Sequence, residues 1–269
     1  MSKQSVSGLG TAPWSSSNWK VLGVLVVAAI VTGIAAVPYL TTVVTSPTSG
    51  VQQGTATTLI LLTGTVLQNV LGALIMGSLG LRLGARIGLG APDLAALIAA
   101  DPLIVKQLPA WLRVGIAQGA LIGVLAIVVE LLLRPVVTVP HVMAPTWQAL
   151  LVSFHAGINE EILFRLGCLT IFAWLGCKLL RREYPSAGLL WTANVTTALL
   201  FVGVHLPQAI ADAGVVWPVI VYVTLVNGIG SLVLGRLYWQ YGLLAAMGAH
   251  ITADIVLQAI WPLVLRALT

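Results

Sequence analysis

The stretch VLGVLVVAAIVTGIAAVPYLTTVV, residues 21–44, decides the fold class. It carries no charged side chain and is longer than the roughly 20 apolar residues that a helix needs to cross a lipid bilayer. The whole chain shares this character, since its 269 residues are 58% hydrophobic and only 8% charged, with a mean hydropathy of +1.01. A soluble domain of this composition would lack polar surface. We therefore predict a protein embedded in the membrane.

Six further apolar segments follow the first one. They lie at 57–81, 114–133, 146–177, 188–206, 215–235 and 241–265. Apolar runs of this length are typical of membrane-spanning helices. The sequence therefore predicts an all-α fold, a polytopic transmembrane helical bundle of seven spans, or of eight if the fourth segment is broken.

The basic residues border these spans. The net charge is +5 and the isoelectric point is near 9.6, but the lysines and arginines stand singly or in small groups without interleaved aromatic residues. This pattern is typical of membrane-flanking positions and indicates lipid, not nucleic acid, as the partner. The first 19 residues are polar and no cleavage site follows the first span, so we predict that this span is retained.

The spans and links suggest three parts. These are a flexible N-terminal tail (1–19), N-terminal transmembrane helices with an interfacial link (20–145) and a transmembrane core (146–269) that holds most of the intramembrane polar residues, where we expect the function to lie. The link at 82–113 contains Pro102 and Pro109, which predict short helices at the membrane interface. The fourth segment with its basic end, 146–182, would be about 55 Å long as a straight helix, so we expect it to tilt, protrude or break, at Gly167 or Gly176.

Two adjacent glutamates and an arginine interrupt the fourth apolar segment, in NEEILFRLG at 159–167. Glu161 and Arg165 are four residues apart, acid first, which is the favourable order for an ion pair on a helix. Glu160 lies about 100° round the helix and is not aimed at Arg165. An unpaired carboxylate in a cavity is a candidate general base. The alternative is a paired cluster that holds helices together, with Glu160 exposed to water.

Two histidine motifs follow on later spans. FVGVH places Phe201 and His205 four residues apart, and HITAD does the same for His250 and Asp254. The aspartate can accept a hydrogen bond from the ring N–H of His250 and fix its tautomer. Taken singly, each motif is also compatible with a purely structural role.

The ordered set of three motifs resembles the signature of the CPBP family, which contains the CAAX-type prenyl endopeptidases and their bacterial relatives. The family pattern is EExxxR, then FxxxH, then HxxxN or HxxxD, and the resemblance covers roughly residues 146–260. The first three spans carry no recognisable motif.

The resemblance implies a role for each matching residue. Glu160 matches the glutamate that activates water, and Glu161 and Arg165 match its partners. His205 matches the histidine of the FxxxH pattern, which works with that glutamate. Phe201 matches the phenylalanine of the same pattern.

His250 and Asp254 match the family pair thought to stabilise the oxyanion. Many family members have asparagine where this chain has Asp254. A carboxylate beside a forming oxyanion would repel it, so orienting His250 is the physically easier role for Asp254.

These observations predict an intramembrane endopeptidase that hydrolyses a peptide bond in a membrane-associated or CAAX-like substrate, with or without a prenyl group. The expected cofactor is none or zinc. Glu160, His205 and His250 are the candidate metal ligands, but no HExxH motif is present and the metal-free glutamate mechanism is favoured. Short links and a high content of Ala, Gly, Leu and Val point to an integral protein of a prokaryotic plasma membrane.

Two other classes stay open at this point. One is a proton-coupled transporter that uses the buried acids and histidines as a relay, although no matching halves with broken helices are seen. The other is a non-catalytic scaffold or bacteriocin-immunity protein, a role linked to some family relatives.

The sequence also leaves the facing of the site open. If the basic links at 82–113 and 178–182 face the cytoplasm, counting along the spans puts the site in the non-cytoplasmic half. The resemblance implies access from the cytosol instead.

Overall fold

The computed structural model describes residues 16–45, 51–136, 144–213 and 217–268. All regular elements within these ranges are helices. They are α1 (Ser16–Val44), α2 (Thr55–Ile87), α3 (Pro92–Ile98), α4 (Pro102–Leu133), α5 (Thr146–Leu179), α6 (Ala187–Ala213), α7 (Trp217–Tyr241) and α8 (Leu243–Leu268). Every helix except α3 is long and apolar enough to cross a membrane. The all-α polytopic bundle is confirmed, with seven candidate spans.

The N-terminal tail and the link at 82–113 have other bounds in the structure than predicted. The predicted tail at 1–19 lies largely outside the described residues, and its last residues, from Ser16, already belong to α1. The third span begins at Pro102, twelve residues before the predicted start, so the prediction of interfacial helices throughout 82–113 was wrong. Proline at the first position of a helix loses no hydrogen bond, and Asp101 caps the helix by accepting from the Leu103 N–H at 2.9 Å. Only α3 lies between the second and third spans.

The fourth segment does not break. Helix α5 runs over 34 residues, about 51 Å at 1.5 Å per residue, and stays continuous through Gly167 and Gly176. The adjustment is a π-helical segment at Glu161–Leu169. Such wide turns are rare and often occur at functional sites. Here the segment begins at the second glutamate of the first motif.

Helices α4 and α8 run parallel and in close contact along a seam of small residues. A Cβ added at Gly115 or Gly119 of α4 would overlap the carbonyl oxygen of Ala245 or Ala249 of α8. Small residues let membrane helices approach closely and gain packing where no hydrophobic driving force exists. The seam fixes the height and rotation of α8, and His250 follows Ala249 directly.

A second close contact brings α5 against α8. A Cβ added at Gly157 would lie 2.7 Å from the backbone nitrogen of Ile251. Because Gly157 is one turn before the two glutamates and Ile251 is next to His250, this contact sets the glutamates beside the histidine.

Helix α3 holds the start of α8. Asp93 is buried, and its Oδ2 accepts from the Leu244 N–H at 2.7 Å, just after Gly242 turns the chain at φ 98°. Burial raises the pKa of the Asp93 carboxyl, while the backbone N–H donors of Leu244 and its neighbours act in the opposite direction. The contact anchors α8 six residues before His250.

Candidate active site

Glu160 lies at the centre of a polar group formed by three spans. Its Oε2 is 3.9 Å from His205 Nε2 on α6 and 3.8 Å from His250 Nε2 on α8. Within the described part of the chain this oxygen has no hydrogen-bond partner, and the side chain is 27% exposed. The three residues that the motifs singled out are therefore brought together around one carboxylate oxygen.

Glu161 and Arg165 form the predicted ion pair. Arg165 Nη1 lies 3.0 Å from Glu161 Oε1, and both side chains are fully buried. Arg165 also donates through Nη2 to the hydroxyl of Ser231 on α7 at 3.0 Å, and its guanidinium carbon lies 4.9 Å from the Phe201 ring centroid. The guanidinium thus joins α5 to α7 and α6 as well as neutralising Glu161.

His250 is oriented by Glu161. Its Nδ1 lies 2.7 Å from Glu161 Oε1, the same oxygen that Arg165 contacts. A carboxylate paired with a guanidinium only accepts, so His250 Nδ1 carries the hydrogen and Nε2 faces Glu160.

The prediction that Asp254 orients His250 was therefore wrong. Asp254 Oδ1 is 4.0 Å from His250 Nε2, too far for a hydrogen bond. The reason is that Asp254 approaches the ring from the Nε2 side, one turn further along α8, while Glu161 reaches Nδ1 from the neighbouring helix.

His205 is held by its own helix. Its Nδ1 lies 2.7 Å from the carbonyl oxygen of Phe201, which can only accept, so Nδ1 carries a hydrogen. The other nitrogen, Nε2, is left for Glu160. The Phe201 ring is buried between the two imidazoles, with centroids 4.5 Å from His205 and 6.0 Å from His250.

Residues 142–256 match a family model described as Rce1-like, type II CAAX prenyl endopeptidase. The protein contains an Rce1-like domain. The family resemblance inferred from the three motifs is thereby confirmed for residues 142–256, which supports a CAAX-type endopeptidase, and the seven apolar helices support an integral membrane protein. No curated protein and no solved structure matches the chain.

The Rce1-like domain does not present a ready metal site. Among the described residues, no group of three or more His, Cys, Asp and Glu side chains is arranged to hold a metal ion. The predicted zinc ligands Glu160, His205 and His250 converge instead through two Nε2 atoms on one carboxylate oxygen.

Other buried polar residues of the domain serve packing. Asn159 Nδ2 donates to the Thr32 hydroxyl at 2.9 Å and joins α5 to α1. Asn194 Nδ2 donates to the Leu232 carbonyl at 2.9 Å and joins α6 to α7. These contacts hold the spans that frame the site.

Two intramembrane residues outside the motifs escaped the sequence analysis. Ser231 binds Arg165, but a lone serine in an apolar span gives no signal. Glu130 of α4 is buried and accepts from the Trp261 indole at 3.0 Å. As the single acid in its span, Glu130 was detectable, and it joins α4 to the far part of α8.

Within the polar group, His250 lies near the start of its helix. His250 is seven residues, about 10 Å, from the start of α8, and Arg266 lies a further 16 residues, about 24 Å, beyond it. Because Gly115 packs on Ala245 in a parallel pair, Arg113 is level with the start of α8. Along α8, His250 is therefore closer to the end that carries Arg113.

Proposed function

We propose that the protein hydrolyses a peptide bond in a membrane-associated or CAAX-like substrate, with Glu160 and His205 activating water and His250 stabilising the oxyanion. The observation that carries the proposal is the approach of two imidazole Nε2 atoms to within 3.9 Å of one carboxylate oxygen. The Rce1-like domain supports the class of reaction.

Glu160 and His205 are suited to bind the attacking water together. With Nδ1–H donated to the Phe201 carbonyl, a neutral His205 presents a lone pair at Nε2. A water oxygen about 2.8 Å from both acceptors would see them roughly 90° apart, close to the angle between its own two hydrogens. As the water attacks, one of its protons passes to Glu160 and can later reach the leaving amine.

His250 is suited to stabilise the oxyanion. Its ring is buried and fixed through Nδ1, so Nε2 has one direction in which to donate. Three carboxylates, from Glu160, Glu161 and Asp254, surround this ring against the single guanidinium of Arg165, which favours an imidazolium with a hydrogen on Nε2. A preorganised charged donor of this kind is an effective oxyanion group.

Asp254 has a supporting role in this scheme. Its carboxylate would repel an oxyanion, but at 4.0 Å from Nε2 it stabilises the positive charge of His250 without taking the hydrogen. Phe201 supports the site by excluding water from the space between the imidazoles and Arg165.

We place the opening of the site on the cytoplasmic side. The end of the bundle that carries Arg113 is basic, and basic residues flank spans on the cytoplasmic side. The shallow position of His250, about 10 Å into α8, lets a substrate tail enter from that side.

The test is a cleavage assay with the purified full-length chain and a CAAX-like peptide in liposomes. Glu160→Gln should lower kcat by about 10²- to 10⁴-fold, the usual contribution of a general base, without changing the unfolding temperature. Glu183→Gln, at an exposed glutamate outside the spans, is the matched control and should be fully active. Retained cleavage by Glu160→Gln would refute the scheme.

Two further arms sharpen the assay. Cleavage by the wild type should survive a strong chelator, and a loss that added zinc restores would replace the metal-free scheme with a metal-dependent one. Peptides with and without an isoprenyl group on the cysteine, compared by kcat/KM, decide whether the lipid is part of the substrate.

A further inference from the structure

The ends of α2 and α5 lie side by side and carry a group of basic side chains. Ile87, at the end of α2, belongs to one apolar cluster with Ala173 and Cys177 of α5. Directly after it, a Cβ added at Gly88 would lie 3.7 Å from the ring of Tyr184, which follows α5. Five exposed basic residues belong to these two helix ends, and we call them the basic corner: Arg82, Arg86, Lys178, Arg181 and Arg182.

The basic corner lies at the more basic end of the bundle. Because successive spans alternate in direction, four further basic residues share this end, namely Lys20, Lys106, Arg113 and Arg236. Apart from the buried Arg165, the other basic residues that the structure describes are Arg134 and Arg266, at the opposite end. More than half of the positive charge at the basic end therefore lies on two adjacent helices.

Acidic side chains do not neutralise the basic corner. Within the described ranges, none of its five side chains takes part in an ion pair. At this end of the bundle Asp93 is buried against α8 and Asp101 caps α4, which leaves the exposed Glu183. Five like charges on two packed helix ends repel each other, so an anion bound among them would stabilise the arrangement.

Tryptophan side chains mark the depth of the basic corner. The Lys178 ammonium lies 5.2 Å from the centroid of the Trp174 ring. Trp191 and Trp239, at the adjoining ends of α6 and α7, pack edge to face with their centroids 5.3 Å apart. Tryptophan is enriched where the hydrocarbon core of a membrane meets its headgroups. The basic corner therefore lies at the level of the lipid phosphates.

Apolar surface continues from the basic corner towards the hydrocarbon core. Leu79 of α2 lies three residues before Arg82, and Leu175 of α5 lies three residues before Lys178. Both leucines are 40% exposed, and residues three apart share a helix face. A ligand that has both a phosphate and acyl chains would contact the basic and the apolar surface at once, whereas a soluble phosphate would contact only the first.

We propose that the basic corner binds the headgroup of an anionic phospholipid. Four of its five residues are arginines, whose planar guanidinium groups match phosphate oxygens in pairs. Basic clusters that adjoin a span attract anionic lipids, with a gain in affinity of about 5-fold for each lysine or arginine. A zwitterionic phospholipid has no net charge with which to balance five cations. The proposal is independent of the protease function.

The test measures lipid binding to the purified full-length chain in detergent by native mass spectrometry. The wild type should bind phosphatidylglycerol at least about 10-fold more tightly than phosphatidylcholine. The triple variant Arg86→Gln/Lys178→Gln/Arg182→Gln removes three charges of the basic corner and should bind phosphatidylglycerol about 100-fold more weakly. Soluble glycerol phosphate, which has no acyl chains, should not displace the lipid at the same concentration.

The matched control removes three charges from the same end of the bundle outside the basic corner. Lys106→Gln/Arg113→Gln/Arg236→Gln changes exposed residues of α4 and α7 and should bind phosphatidylglycerol within about 5-fold of the wild type. Unchanged unfolding temperatures show that both triple variants fold. Equal binding of phosphatidylglycerol by the two triple variants, equal binding of both lipids by the wild type, or displacement by glycerol phosphate would each overturn the proposal.

Discussion

The two imidazoles that face Glu160 belong to differently built regions. His250 is 8% exposed, is bound by Glu161 from another helix, and sits on a helix held by the α4–α8 seam. His205 is 33% exposed and is bound only by a carbonyl of its own helix. In the proposed mechanism, the His250 region contributes both to the chemistry and to the stability of the fold, while the His205 region contributes to the chemistry alone. Variants in the two regions should separate these properties.

The largest expected effect comes from breaking the buried ion pair. Arg165→Met leaves the fully buried Glu161 without its guanidinium partner, which should cost about 3–5 kcal/mol of unfolding free energy and abolish cleavage. Arg236→Met, at an exposed arginine of α7, is the control and should change stability by less than about 0.5 kcal/mol. Denaturant unfolding in detergent measures the stability of both variants. If Arg165→Met were as stable as Arg236→Met, the buried region would not contribute to stability as expected.

The two histidines should differ in stability when each is replaced by asparagine. His250→Asn deprives buried Glu161 of a donor and should cost about 1–3 kcal/mol. His205→Asn, at a partly exposed position, should cost less than about 0.5 kcal/mol. Both should lose most cleavage activity. If His205→Asn destabilises the protein as strongly as His250→Asn, the region around His205 also contributes to stability.

Glycine substitutions in the two regions should change stability in opposite directions. Gly119→Ala forces α4 away from α8, which should cost about 1–3 kcal/mol and, by moving His250, lower kcat by up to about 10²-fold. Gly203→Ala of α6 meets nothing within 4 Å and should stabilise by up to about 1 kcal/mol through helix propensity. Thermal unfolding and the cleavage assay measure these effects for both variants. Stabilisation by Gly119→Ala would show that α4 and α8 are not closely packed at this position.

The smallest expected effect is a pH dependence at α3. Because burial raises the pKa of Asp93 above its ordinary 3.8, the folded protein holds this proton at pH values where the unfolded chain has lost it. This contribution to stability is therefore largest at low pH and falls as pH rises through the raised pKa. Asp93→Asn keeps an acceptor for the Leu244 N–H and should flatten the slope.

Unfolding measured at intervals from pH 4 to pH 7 checks this expectation. A slope equal to that of the wild type would show that Asp93 does not titrate in the fold.

The sequence alone was enough for the spans and for contacts within one helix. Long apolar runs predicted seven spans, and the spacing of four residues predicted the pair of Glu161 and Arg165. These features depend on local composition and helix geometry, which a single sequence contains.

The contacts between helices could not be predicted. Glu161 and His250 are 89 residues apart, and nothing in their spacing indicates that this glutamate, and not Asp254, reaches Nδ1. Their meeting depends on how closely Gly157 approaches Ile251. The start of α4 was misplaced for a different reason. A proline after an aspartate can either begin a helix or interrupt one, and here Asp101 and Pro102 begin α4.

The seam between α4 and α8 has a consequence for how the molecule is made. Its partners, such as Gly119 and Ala249, are 130 positions apart (249 − 119) in the sequence. While the chain is still being translated, the glycines of α4 must therefore face lipid or other early helices. His250 reaches Glu160 only after the residues of α8 have left the ribosome and entered the bilayer. In the proposed mechanism, a nascent chain that lacks α8 has no oxyanion donor, so the peptidase stays inactive throughout its own synthesis.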